Sequence, residues 1–123
     1  MMVKILLLMI FAHIIDDFVL QPICLSKLKQ KSWWEKQERY KDLYRNDYKM
    51  ALLTHSMSWS IMILIPILLL LEIPQILILM AFCINTLIHY TIDDLKANKG
   101  KLNLIQDQII HLMQVIITWM IIL

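Results

Sequence analysis

Residues 50–71 read MALLTHSMSWSIMILIPILLLL, a run of 22 without a formal charge. A helix needs about 20 mostly apolar residues to cross the hydrocarbon of a bilayer. This run is long enough, and its one ionisable group, His55, stands near its start. The chain is 59% hydrophobic, above the roughly half-apolar content of a soluble domain. With one glycine and three prolines in 123 residues, a turn-rich β fold has no material to build from.

Outward from that run, three more segments approach spanning length. Residues 1–20 end before Pro22, which disfavours helix at the preceding position. Residues 74–92 open on Pro74, suited to a first helical turn. Residues 104–123 follow Asn103, an N-cap candidate with Gln106 three positions on. The expected fold is all-α: one polytopic membrane domain over residues 1–123, with four transmembrane helices in an up-down bundle. Residues 1–15 lack a basic start beyond Lys4 and a small-residue cleavage site, so they read as a retained helix rather than a signal peptide.

Eight of the twelve Lys and Arg fall in residues 27–49 and three more in residues 96–101. The link from the second to the third helix, around Glu72 and Pro74, has none. The positive-inside rule then puts both basic loops in the cytoplasm and both termini outside. Residues 22–49 also carry Trp33, Trp34, Tyr40, Tyr44 and Tyr48. Trp33, Tyr40 and Tyr44 share helical spacing, which predicts an interfacial helix at headgroup level. A solvated helical arm is the plainer alternative. The net charge of +2 is too small to argue for nucleic acid. Cys24, near a helix end, and Cys83, read as a small packing residue, form no metal or redox motif.

Each expected helix carries one histidine, and three of these have an aspartate four positions away: His13 with Asp17, His89 with Asp93, and Asp107 with His111. Residues four apart share a helix face. In an up-down bundle His13 and Asp17 end helix one, His55 begins helix two, His89 and Asp93 end helix three, and Asp107 and His111 begin helix four. All then meet on the cytoplasmic side. Crowded carboxylates repel unless protonated or neutralised by a cation, and ionisable groups in a membrane persist when paired or metal-bound. Imidazole and carboxylate together suit Zn most simply, with Mn or Fe also fitting, as one ion or two. The plainer reading is a structural polar network. Gln21, Asn85 and Gln108 are candidate orienting or substrate contacts, with interhelical bonding the ordinary role for Asn85. Lys27 and Lys96 are candidates to grip a phosphate or, equally, to fix topology. Asp16 and Asp94 are expected to face away from the cluster.

The ordered set His13-x-x-x-Asp17-Phe18-x-x-Gln21, Lys27, His55, His89-x-x-x-Asp93-x-x-Lys96 and Asp107-Gln108-x-x-His111 resembles the small bacterial membrane family called domain of unknown function 3307. The resemblance covers nearly the whole chain. It implies a bacterial or bacteriophage origin and no settled activity; the expected location is the bacterial inner membrane. The doublets Asp16-Asp17 and Asp93-Asp94 depart from the family pattern, whose spacing favours Asp17 and Asp93 as ligands.

Three functions are expected from these residues. The first is a metal-dependent membrane hydrolase acting on a lipid, lipid-linked or phosphorylated substrate at the cytoplasmic interface. Asp17, Asp93 and Asp107 would be its acid/base groups, and His13, His55, His89 and His111 would join them as metal ligands. The second is a proton or divalent-metal transporter or relay, which at this size needs a homo-oligomer. The third is a metal-stapled interaction module. One glycine excludes a phosphate-binding P-loop.

Overall fold

The computed structural model describes residues 1–37 and 43–123, and the described residues are helical with no strand. The helices are α1 (Met2–Ile15), a π-helical turn (Asp16–Leu20), α2 (Ile23–Leu28), α3 (Lys31–Glu35), α4 (Asp47–Leu70), α5 (Gln75–Ala97) and α6 (Leu104–Ile122).

Three of these, α4, α5 and α6, are long and apolar enough to cross a membrane. This corrects the expectation of four. The α-helical part of α1 is only 14 residues, about 21 Å at 1.5 Å per residue, against the ~30 Å of hydrocarbon. It stops where Asp16 and Asp17 enter the π turn, and Gln21 before Pro22 is already extended. α6 keeps within its expected bounds, while α4 and α5 each run beyond theirs at one end. α4 starts three residues early, at Asp47, and α5 continues past residue 92 to Ala97.

Sequence accounts for most of the helix ends. Asn103 caps α6 by accepting from Gln106 N at 2.9 Å, and Gln106 Oε1 accepts from Asn103 N at 3.0 Å, a reciprocal capping box. Leu71 is extended after α4, and Pro74 is the N-cap of α5. Gly100, the chain's single glycine, takes φ +59 after α5. Lys101 N reaches back to Leu95 O at 2.9 Å there, a left-handed helix stop.

Burial is inverted relative to a soluble protein. Among the described residues, fourteen buried polar or charged residues outnumber ten buried apolar ones, Pro66 included. Meanwhile Leu53, Ile61, Leu69, Leu77, Ile84 and Ile117 are outward and exposed. Such a surface fits lipid rather than water. An apolar core of Ile5, Met9, Trp59, Ile63, Leu64, Ile67 and Val115 joins α1, α4 and α6. α4 and α5 pack closely through small hydroxyl residues, with Thr86 Oγ1 donating to Ser60 Oγ at 3.0 Å.

The polar linker differs from its expectation. The helix holding Trp33 ends at Glu35, so it does not continue to Tyr44; Tyr40 lies outside the described residues. Trp34 Nε1 donates to Leu28 O at 2.8 Å, and the Trp34 ring packs beside Tyr44 at 5.5 Å between centroids. Cys83 is exposed on α5 rather than packed inside, because its position faces away from α4 and α6.

Candidate metal centre

The four histidines are buried together, none more than 2% exposed, where the end of α1 meets the start of α4, the end of α5 and the start of α6. His89 is the middle of the stack. Its ring lies 4.4 Å from Trp59 and 4.0 Å from His111, both near-parallel. His89 Nε2 is 3.2 Å from His55 Nε2. Two imidazole nitrogens this close share one proton or one cation.

The carboxylates surround the rings. His55 Nε2 is 3.6 Å from Asp17 Oδ1 and 3.5 Å from Asp93 Oδ2. His111 Nε2 is 3.4 Å from both Asp93 Oδ1 and Asp107 Oδ1. Two sets each offer three ligand atoms lying within 4.8 Å of one another: Asp17 with His55 and His89, and His89 with Asp93 and His111. His89 belongs to both, so they form one continuous centre.

Several buried atoms here have no hydrogen-bond partner: Asp17 Oδ1, Asp107 Oδ1, His89 Nδ1 and both ring nitrogens of His111. Buried polar atoms are ordinarily satisfied, because leaving one unpaired costs about 1–3 kcal/mol. Asp17, His89 and His111, which carry most of these unpaired atoms, are also members of the two ligand sets, and imidazole with carboxylate is a donor set that suits a divalent ion. The His/Asp groups are therefore able to hold a metal ion.

Two of the seven expected ligands stand outside both sets. His13 Nδ1 accepts the Trp59 indole N–H at 2.8 Å, which occupies its lone pair. Its 3.7 Å approach to Asp17 is thus not a hydrogen bond through that nitrogen. Asp107 Oδ2 accepts from Lys96 Nζ at 2.6 Å and from Gln108 Nε2 at 3.2 Å. Gln108 also donates to Asp17 Oδ2 at 2.9 Å, tying α6 to the π turn. Gln21 Oε1 accepts from Lys29 Nζ at 3.2 Å. One turn deeper, Asn85 Oδ1 accepts from Gln114 Nε2 at 2.8 Å and from Thr118 Oγ1 at 3.0 Å, linking α5 to α6.

Residues 5–123 match the family described as "Protein of unknown function (DUF3307)". The chain belongs to that family. No curated protein and no solved structure matches it.

Two expectations for this DUF3307 chain are corrected by its structure. Asp16, expected to face away, is 1% exposed. Its Oδ1 accepts from Ser58 Oγ at 2.7 Å and its Oδ2 is 3.6 Å from His55 Nδ1. Adjacent helical residues diverge by about 100°, so Asp16 and Asp17 approach the two nitrogens of one ring from different sides. The second correction concerns lysine. Lys27 is exposed, and Lys29 is the buried one, its Nζ 2.6 Å from Asp93 Oδ2. Asn98 places it: Asn98 Nδ2 donates to Lys29 O at 3.1 Å and Asn98 Oδ1 accepts from Lys31 N at 2.7 Å. Asp94 does face away, pairing with Lys99 at 3.0 Å.

Proposed function

We propose that the chain is a metal-dependent hydrolase embedded in a bacterial inner membrane, acting on a lipid or lipid-linked substrate at the cytoplasmic face. The observation that carries this reading is the joint approach of Asp17, His55, His89, Asp93 and His111, with ligand atoms left unpaired. In this reading α4, α5 and α6 cross the bilayer alternately and α1 inserts beside them as a shorter fourth helix. Zn is the simplest occupant, with Mn or Fe as alternatives.

A divalent ion held there would supply a water of lowered pKa. The chain's own groups do the rest. Asp17 Oδ1, without a hydrogen-bond partner, takes a proton from the attacking water. That proton passes on to the leaving group as its bond breaks, while Asp107 stays ionised against Lys96 Nζ. Trp59 and Gln108 hold His13 and Asp17 in place. An apolar cavity of about 300 Å³ between α5 and α6 favours a lipid over a soluble substrate. It is lined by Leu77, Met80, Ile84 and Ile88, the last of them next to His89 in sequence.

The test is elemental analysis of purified wild type and His89→Ala, followed by hydrolysis assays on liposomes. His89 is shared by both ligand sets. Near-stoichiometric metal in wild type, lost in His89→Ala along with lipid hydrolysis, supports the reading; a metal-free, folded wild type ends it.

A relay or transport function is favoured by a different observation. Ser56, Ser60, Asn85, Thr86, Gln114 and Thr118 are buried and extend polar contacts from the cluster into the bundle. Metal-dependent liposome flux without hydrolysis would select it.

A further inference from the structure

Beside the metal centre lies a polar recess of about 290 Å³, lined by Gln21, Ser26, Lys29, Gln30, Asp93 and Lys96. It shares Asp93 with the centre itself. Two ammonium groups reach it from opposite elements: Lys29 from the linker after α2, and Lys96 from the last turn of α5. Both are engaged with carboxylates of the cluster, at 2.6 Å each.

Charge balance decides what this recess is for. Asp16, Asp17, Asp93 and Asp107 face Lys29 and Lys96, so with neutral imidazoles the buried site is formally −2. That arrangement repels an anion. A divalent ion bound by Asp93 takes over the neutralising role that Lys29 fills, and a second ion would leave the site positive. Lys29 is then free to turn its ammonium group into the recess, where Lys96 already lines the wall beside Asp107 and adds a second positive charge; the amide groups of Gln21 and Gln30 and the hydroxyl of Ser26 remain as further donors. A tetrahedral oxyanion fits that donor set, and Lys is an ordinary point-charge partner for phosphate.

We infer that this recess is a phosphate-binding subsite, formed by Lys29 and Lys96 when metal occupies the adjoining cluster. The inference rests on the metal reading above and names the substrate class: a phosphate ester whose phosphoryl oxygens sit beside the metal. Lys29 is the main determinant, because it is buried and its backbone is clamped by Asn98. Lys96, with a side chain 35% exposed, is the second.

The experiment measures binding of radiolabelled inorganic phosphate to the purified full chain in nanodiscs, metal-loaded and chelator-stripped. Metal content is determined on the same samples. Metal-loaded protein is expected to bind phosphate, and stripped protein is not. Lys29→Met and Lys96→Met should each weaken phosphate binding about tenfold or more, the usual scale for a hydrogen bond to a charged group. Both should retain their metal, and Lys29→Arg should restore binding. Should Lys29→Met fail to fold, Lys96→Met and Lys29→Arg still decide the matter. Equal phosphate binding with and without metal, or binding indifferent to both lysines, overturns the inference while leaving the metal reading intact. Wild type that takes up no metal overturns both. Phosphatidylcholine vesicles containing phosphatidic acid supply the other arm. Competition by them assigns the bound group to a lipid headgroup, and its absence assigns a soluble phosphate.

Discussion

Asp16 and Asp94 show how far single residues can be read. Each belongs to an Asp-Asp doublet, and spacing alone selects the partner at i+4 from a histidine in both cases. For Asp93-Asp94 that choice agrees with the fold, since Asp94 turns to Asn98 and Lys99. For Asp16-Asp17 it misses one carboxylate, because Ser58 and His55 approach from α4, a direction the local spacing of α1 does not contain. Asp16→Asn keeps the hydrogen bond from Ser58 and removes the charge beside His55. It is expected to lower metal affinity by roughly 10–100-fold, the usual effect of changing a group that orients a ligand. Asp94→Asn should leave that affinity within about twofold, as expected of a surface substitution. Metal titration of both variants checks this, and equal losses would refute the distinction. Lys29 was illegible for the opposite reason. It is one of eight basic residues in a polar stretch, and what singles it out comes mainly from α5: Asp93 and Asn98, 64 and 69 positions away.

At the scale of the element, the long helices were legible because continuous apolar length is a strong local signal. The short α1 was not. Composition there suggests a span, but the backbone unwinds into a π turn at the charged doublet. π turns cluster at functional sites, and this one delivers two carboxylates to His55. α6 offers a cleaner test of local coding. Its start places Asp107 one turn from the Asn103 cap. Asn103→Ala removes the side-chain half of the capping box, the acceptor for Gln106 N, while the backbone N–H at 103 still donates to Gln106, and it is expected to cost about 1 kcal/mol of stability. The effect should appear as a lower midpoint in denaturant or thermal unfolding in detergent. An unchanged midpoint would mean that packing against α5 alone sets where α6 begins.

For the molecule as a whole, the decisive feature is the exchange of inside and outside. Polar groups are gathered at the helix contacts and many large apolar side chains face outward, a surface suited to apolar surroundings. His13 and His89 fall toward the ends of their helices and His55 and His111 toward the starts, which is why their convergence was visible before any coordinates. The interior hydrogen bonds depend on side-chain facing, so they were not. The same inversion makes the two natural cysteines reporters of position. Cys24 and Cys83 are both free and exposed, yet Cys24 stands in α2 near the basic linker and Cys83 in the middle of α5. In sealed inside-out vesicles a membrane-impermeant maleimide should label Cys24 and spare Cys83. In right-side-out vesicles it should label neither. Solubilisation in denaturant should then expose Cys83. Labelling of Cys83 at the same rate as Cys24 in intact vesicles would put α5 in water and remove the membrane from the argument. Labelling of Cys24 only from the outer side would reverse the orientation and move the metal centre to the opposite face.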